Sequence, residues 1–306
     1  MKKAKYIWMD GKLTLWDDAK VHILSHTLHY GNGAIEGTKA YKTDDGRCAI
    51  FKLQEHTKRL LDSSKMTLLD VPYTIEELNN AQIKLLQENK LFNGAYIRPL
   101  VYLGYGVMGL YHKDAPVSVS ISAWEWGAYL GEDGLKNGIR LKISSMTRGG
   151  NTSSMGKAKA VANYLNSQMA KHEAIEAGYD EALLRDDQGY IAEASGACFF
   201  MVENGVLISP PNDNSLKSIT QSTVIDLAKD LGIKVIRRRI TREEIYICDE
   251  CFLTGTAAEI TPVKDVDARV IGNGSRGKIT QKIQTAYFDV VAGRNQKYIK
   301  HLTYIN

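Results

Sequence analysis

Two lysines, one strand-end carboxylate and two short polar segments are the groups in this sequence best placed to do chemistry on a phosphorylated ligand. Lys157 and Lys159 each carry an amine that can add to a carbonyl carbon. On a helix they would lie about 200° apart, so only one could face a ligand bound on a given side. Periodicity leaves the choice between them open, and most lysines are solvated surface residues. Glu193 ends an expected strand and precedes Ala194-Ser195-Gly196-Ala197, a run that permits close approach to a ligand. An exposed strand-end carboxylate would have the same pattern. Ser218-Ile219-Thr220-Gln221 opens an expected helix, whose free amides, dipole and hydroxyls suit an anion. Leu253-Thr254-Gly255-Thr256-Ala257-Ala258 follows an apolar strand and lets backbone amides approach an anion, and Arg59 would add a full charge. Ordinary capping or a solvated charge accounts for each piece taken singly.

A pyridoxal-phosphate (PLP) enzyme makes four demands, and each has a candidate among these pieces, none of them decisive alone. Such an enzyme needs an amine to bind the cofactor's carbonyl and an acid to hold its pyridine nitrogen protonated. It also needs an anion cup for the phosphate and a pocket that orients the substrate.

Three patterns resemble metal ligands. His22, His26 and His29 fall at i, i+4, i+7, but Val21, Ile23, Tyr30 and Gly31 argue against a regular helix there. Cys248-Asp249-Glu250-Cys251 has CxxC spacing with no second pair nearby to complete four ligands, and reads as coincidence within a strand. His112 and His172 stand alone. No metal is expected.

The elements that must position these groups follow from turn signals and periodicity. A hairpin is expected from Tyr6–Met9 and Leu13–Leu15 about Asp10-Gly11, then strands at Ile35–Tyr41 and Cys48–Phe51. Helical spacing occupies Gln54–Met66 and Thr74–Asn89, the latter opened by Thr74 and Glu77 at capping-box spacing. Strands return at Tyr96–Leu103 and Val117–Ala123. Beyond the glycine-punctuated linker WGAYLGEDG come a strand at Ile139–Ser144 and a helix from Ala158 to Ala177. Strands at Glu181–Arg185, Tyr190–Glu193, Phe199–Val202 and Val206–Ser209 precede a helix from Thr220 to Leu231, stopped by Gly232. A last helix spans Thr280–Val291. The expectation is an α+β protein with a small N-terminal domain over residues 1–124, a linker over 125–135 and a larger domain over 136–306.

Bulk properties exclude several classes. The 306 residues are 44% apolar and 24% charged with a net charge of +4, ordinary for a folded protein and no argument for nucleic acid. Arg237-Arg238-Arg239 sits in an alternating stretch and reads as a solvated strand edge. The opening MKKAKYIWMDGK has no apolar core, so no signal peptide is expected, and no apolar run approaches the ~18 residues of a membrane span. Four cysteines fit free thiols in a reducing compartment, so a cytoplasmic location is expected.

Long segments in order resemble one known family: HTLHYGNGAIEGTKAY, EHTKRLLDSSK, AYIRPLVYLGYG, WGAYLG, KAVANYLNSQ, GYIAEASGACFF and FLTGTAAEITPV. The chain is similar nearly end to end to the branched-chain aminotransferases of the fold-type IV PLP class. The resemblance implies a two-domain fold of the D-amino-acid-aminotransferase type and PLP as cofactor. It places the Schiff-base lysine four residues before the Asn of a K-A-x-x-N-Y motif, which selects Lys159 before Asn163. It further implies that Glu193 meets the pyridine nitrogen, Tyr164 the phenolic oxygen and Leu216 the ring. Arg59, Ile219, Thr220 and Thr256 would hold the phosphate. The substrate carboxylate would meet the Thr256 and Ala257 amides, assisted by Tyr96 and Arg98. Tyr30, Ile35, Met108, Tyr129 and Tyr164 would line the side-chain pocket, some of them from a neighbouring subunit. The implied reaction moves the amino group of leucine, isoleucine or valine to 2-oxoglutarate by a ping-pong course, in a homodimer or higher oligomer.

The pattern breaks at Ile35, where the family often has Phe, at Lys39 for a usual Arg, at Cys198 for Asn and at Ser209 for Thr. Arg and Lys are not interchangeable at a bidentate site. None of these changes touches Lys159 or Glu193; substrate breadth is what they alter. Competing readings are a D-amino-acid or (R)-amine transaminase with the same cofactor machinery, a PLP lyase, and a ligand-binding protein with a dead site.

Overall fold

The computed structural model describes residues 3–150 and 152–306. Met1 and Lys2, at the head of the segment read above for a signal peptide, and Asn151 lie outside them. The chain forms two compact units of mixed helix and sheet. One comprises Met1–Trp126, Ala158–Ala162 and Val290–Asn306, the other Gly127–Lys157 and Asn163–Asp289.

In the first unit an eight-stranded sheet runs, in spatial order, Leu302–Tyr304, Cys48–Phe51, Thr38–Lys42, Ala95–Leu103, Val117–Trp124, Tyr6–Met9 and Lys12–Leu15, with Gly33–Ile35 also paired to Ala95–Leu103. The Tyr6–Leu15 hairpin closes through Asp10 and Gly11, at φ 44° and 89°, the left-handed pair that a two-residue turn with matching twist requires. Helices Leu53–Met66 and Ile75–Glu88 bury Leu53, Leu60, Leu78, Leu85 and Leu86 with Ile50, Ile97, Val101 and Ile121 of the sheet. Each such side chain contributes about 1.5–3 kcal/mol by leaving water. Thr74 and Glu77 form the expected capping box. Thr74→Ala should lower the urea midpoint by an amount equivalent to about 1 kcal/mol; an unchanged midpoint would mean the cap is solvent-compensated.

The strand expected at 35–41 is two strands. Glu36 N–H donates to Pro99 O at 3.0 Å, but proline has no N–H to return, so the ladder breaks at this point. The chain then passes over Tyr96 so closely that a Cβ on Gly37 would lie 1.9 Å from the Tyr96 hydroxyl. The break turns the Glu36 side chain into the interior, where it is 1% exposed.

In the second unit a nine-stranded sheet runs Ile191–Ala194, Glu181–Arg185, Ile139–Thr147, Glu259–Val266, Glu250–Gly255, Cys198–Glu203, Val206–Ser209 and Val235–Arg237, with Arg269–Val270 paired to Glu259–Val266. Leu141, Leu183, Phe199, Met201 and Leu253 form its core. Of the basic run only Arg237 lies on the edge strand, as its last residue, and Arg238 and Arg239 follow it. Helix Ile219–Asp230 packs on the Glu250–Gly255 strand and is followed by Gly232 at φ 71°.

Several expectations need correction. The domain limits 1–124, 125–135 and 136–306 do not match the units. The C-terminal strand returns to pair with Cys48–Phe51, which takes residues 290–306 into the first unit. The last four residues of the expected linker, 132–135, belong to the short helix Glu132–Asn137. The helix expected from Ala158 begins only at Tyr164, after a 3-10 turn at Val161–Asn163. Ala160 instead bridges Ala34 antiparallel, with Lys159 O accepting Ile35 N–H beside it. Tertiary pairing there overrides helix propensity. Conversely His26–Tyr30 does form a short helix, with His22 outside it. Cys248 caps helix Arg242–Ile247, and only Cys251 lies on a strand. All four cysteines are buried thiols outside any disulfide. Among the described residues no group of three or more His, Cys, Asp or Glu could hold a metal ion.

Candidate active site

The chemistry-bearing residues fall into two sets, one on each unit. In the first, Lys159 lies outside any helix, so the helical-face argument for choosing between it and Lys157 does not apply. Its peptide is held at both ends: its N–H donates to Ser63 Oγ at 3.0 Å, and its carbonyl accepts from Ile35 N–H at 3.0 Å. Lys159 is half-buried and Lys157 is exposed.

Helix Leu53–Met66 presents His56, Arg59 and Ser63 at i, i+3, i+7, on one face. Arg59 forks onto the Glu36 carboxylate, Nε to Oε1 at 2.5 Å and Nη2 to Oε2 at 2.9 Å. His56 Nδ1 lies 2.8 Å from Oε2, which also accepts Gly37 N–H at 3.1 Å. A carboxylate can only accept, so Nδ1 carries the imidazole proton. Burial alone would push the Glu36 carboxyl up, but Arg59 and His56 outweigh it and hold it well below the usual range. Burial, countered in part by Glu36, holds His56 below its ordinary value, which keeps the ring neutral near pH 7. Arg59 is thus aimed from below by a buried anion, its side chain still 14% exposed.

Tyr96 and Arg98, two apart on one strand, share a face. Tyr96 is buried against Trp124 and Trp126, with ring centroids 5.3 and 4.8 Å away, and its hydroxyl accepts from Arg98 Nη2 at 3.1 Å. Arg98 Nε is buried with no hydrogen-bond partner among the described residues, a donor suited to an anion. Ile35 is half-buried, and Tyr30 and Met108 are exposed. The Tyr30 and Met108 segments are stitched together by His26, whose N–H donates to Gly104 O at 3.0 Å and whose Nε2 lies 2.7 Å from Gly109 O.

In the second unit, Glu193 follows a register shift between Ile191 and Glu193, a bulge that re-aims its side chain. Arg148 Nε stands 2.9 Å from Glu193 Oε1. Ser218 caps helix Ile219–Asp230 by accepting Gln221 N–H at 3.1 Å. The Ile219 and Thr220 amides occupy its first turn, where no intrahelical acceptor exists. Leu216 is half-buried in the preceding loop. Thr256 and Ala257 form the turn between Glu250–Gly255 and Glu259–Val266, closed by the Gly255–Glu259 pair. Tyr164 is the first residue of helix Tyr164–Glu176. Tyr129 is exposed, its ring centroid 5.8 Å from Lys171 Nζ.

Of the departures from the family pattern, Cys198 is buried opposite Thr254. Ser209 Oγ accepts from Gln221 Nε2 at 3.0 Å and donates to Pro210 O. Lys39 Nζ lies 5.2 Å from the Tyr41 ring centroid.

Sequence reasoning missed Glu36, His56, Ser63 and Arg148. The i, i+3, i+7 spacing on an amphipathic helix could have exposed His56 and Ser63. Nothing local marks Glu36 or Arg148, whose ion-pair partners lie 20 or more residues away.

The chain matches the class IV amino-transferase family over residues 33–266. It is 47% identical to the branched-chain-amino-acid aminotransferase of Pseudomonas aeruginosa, over 98% of this chain and 97% of that one. The crystal structure of the branched-chain amino acid aminotransferase of Escherichia coli superposes with a TM-score of 0.95 at 40% identity, covering 99% of this chain and 100% of that one. The branched-chain amino acid aminotransferase of Thermobaculum terrenum, solved in its PLP form, gives 0.93 at 34% identity and covers both chains fully. Alignments that run end to end at such identities leave no part of the fold unaccounted for: the chain belongs to the branched-chain aminotransferases of the class IV, or fold-type IV, aminotransferase family.

Proposed function

We propose that the protein transfers the amino group of L-leucine, L-isoleucine or L-valine to 2-oxoglutarate, giving branched 2-oxo acids and L-glutamate by a ping-pong course with PLP as cofactor. The end-to-end similarity to enzymes of that name carries the reading. The donor set fits the cofactor: Arg59 and the Ile219 and Thr220 first-turn amides suit a phosphate, as does the Thr256 turn. Once bound, PLP supplies an electron sink for charge developing at the substrate Cα.

The remaining work falls to the chain. Lys159 carries the amine that takes the proton from the substrate Cα and returns it, as general base and acid. Glu193, as a carboxylate, keeps a proton on the ring nitrogen, Tyr164 meets the phenolic oxygen and Leu216 packs on the ring. The amides of Thr256 and Ala257 receive the substrate carboxylate. Arg98, with its unpartnered Nε, and Tyr96 add donors for the second carboxylate of 2-oxoglutarate. Tyr30, Ile35, Met108, Tyr129 and Tyr164 face the aliphatic side chain.

The protein works as a homo-oligomer in this reading. Ile23, Leu28, Tyr30, Met108, Leu110 and Tyr111 are all exposed on the stitched 22–30 and 104–112 segments, the kind of apolar surface that marks a protein–protein contact. A second copy would cover it and complete the substrate pocket at Tyr30 and Met108; a monomeric mass by light scattering would contradict this. A cytoplasmic location accords with four cysteines outside any disulfide. No helix among the described residues is long and apolar enough to cross a membrane.

The test is the visible band of the cofactor-loaded protein, titrated separately with L-leucine, D-alanine and an (R)-amine. Loss of the band with L-leucine alone is expected; loss with D-alanine or the amine instead would reassign the substrate. Ile35→Phe should lower kcat/KM for L-phenylalanine about tenfold relative to L-leucine, the scale of a changed apolar pocket. Equal ratios in the two proteins would remove Ile35 from specificity.

A further inference from the structure

We infer that Arg148 is a positioning residue for the reaction: it holds Glu193 as a carboxylate and fixes the direction in which it faces the cofactor's ring nitrogen. The inference rests on the proposed role of Glu193. Arg148 follows the strand Ile139–Thr147, and its backbone N–H donates to Arg185 O at 2.8 Å. Its two Nη groups donate hydrogen bonds, while Nε meets Glu193 as an ion pair without hydrogen-bond alignment. Nε stands 2.9 Å from Glu193 Oε1, Nη1 donates to Ser167 Oγ at 3.0 Å, and Nη2 donates to the carbonyls of Ala194 and Ser195 at 3.3 and 3.2 Å.

These anchors are independent of one another. Ser167 is buried on helix Tyr164–Glu176, and the two carbonyls belong to the residues directly after Glu193. The guanidinium therefore ties the carboxylate to the backbone of its own strand end and to a neighbouring helix. Side-chain exposures of 14% for Arg148 and 12% for Glu193 leave little water to compete.

A bulge alone would leave Glu193 free to rotate about its side-chain bonds, whereas a planar cation fixed by Ser167 and two carbonyls holds a charge beside one carboxylate oxygen and favours one orientation. The cation also decides where a shared proton rests. A carboxylate facing a protonated pyridine can take that proton and leave two neutral groups. A guanidinium on its other oxygen favours the charged carboxylate and keeps the proton on nitrogen. Arg148 thereby sustains the electron-withdrawing state of the ring without touching cofactor or substrate.

The experiment uses holoenzyme reconstituted with PLP labelled with 15N in the ring, and reads the ring-nitrogen resonance and the cofactor dissociation constant. R148M should move the resonance toward that of unprotonated pyridine and weaken cofactor binding about tenfold. R148K keeps the charge and so serves if R148M misfolds. Its ammonium cannot grip three ways, so a smaller displacement in the same direction is expected. A wild-type resonance in whichever of the two folds would overturn the inference, because loss of packing alone does not move that signal. E193Q separates the two readings: if E193Q leaves the resonance in place, the role given to Glu193 fails. If E193Q moves it and the Arg148 variants do not, only the role of Arg148 fails.

Discussion

Lys159→Ala should cut turnover of L-leucine with 2-oxoglutarate by about 10⁴-fold or more, the scale of losing an acid–base group together with covalent attachment of the cofactor. Lys157→Ala should stay within about twofold, as an exposed substitution does. The asymmetry follows from the backbone rather than from the side chains. The Lys159 peptide is pinned by Ser63 Oγ and Ile35 N–H, so its amine leaves from a fixed point. Borohydride reduction of the loaded protein followed by peptide mass spectrometry checks the assignment independently of rate. A cofactor adduct on Lys157, or full activity in the Lys159 variant, would overturn it.

The second large effect is on stability. Glu36→Gln leaves Arg59 and His56 facing a neutral amide in a buried site and should cost about 3–5 kcal/mol, the penalty for breaking a buried ion pair from one side. Against a typical total of about 5–15 kcal/mol this is a large fraction. The pH dependence has a definite sign. Glu36 titrates below its unfolded value when folded, so its contribution is complete above about pH 4.3 and is lost as pH falls below that. His56 is also depressed, so the unfolded chain takes up its proton near pH 6.5 before the folded one does. Stability therefore begins to fall on acidification below that point. Urea midpoints of both proteins at pH 7.5, 5.5 and 4 would show the gap narrowing at the lowest pH. A variant within about 0.5 kcal/mol of wild type at pH 7.5 would mean the cluster is not a stabilising one.

Arg59 links the two predictions. The residue that the resemblance assigns to the phosphate is the one that Glu36 orients, so Glu36→Gln should also raise the cofactor dissociation constant. Lys159→Ala should leave the Glu36–Arg59 ion pair intact, and a thermal melt of the cofactor-free protein reads this without interference from rate.

What the sequence determined by itself is the set of local commitments and the chemistry they carry. Asp10-Gly11 permits one kind of turn, Thr74 and Glu77 cap a helix, and Gly232 ends another. Ser218 opens an anion-ready helix terminus. Each depends on residues a few positions apart, whose preferences act before anything else is packed. The family motifs single out Lys159 and Glu193 as the residues to test because K-A-x-x-N-Y and the strand-end E-x-S run are contiguous.

Only the tertiary structure decided the rest. Residues 158–160 have helix-compatible side chains, yet Ala160 bridges Ala34 and Ser63 takes the Lys159 N–H, because each cross-chain bond satisfies a peptide group that a helix would have satisfied internally. The strand Leu302–Tyr304 exists because Cys48–Phe51 offers it an edge some 250 residues earlier in the chain. Glu36 finds Arg59, and Arg148 finds Glu193, across gaps in sequence that no periodicity spans. A buried charge must be paired to be tolerated. Which residues meet to satisfy that demand depends on strand register and helix packing, and these are properties of the folded chain rather than of any window within it.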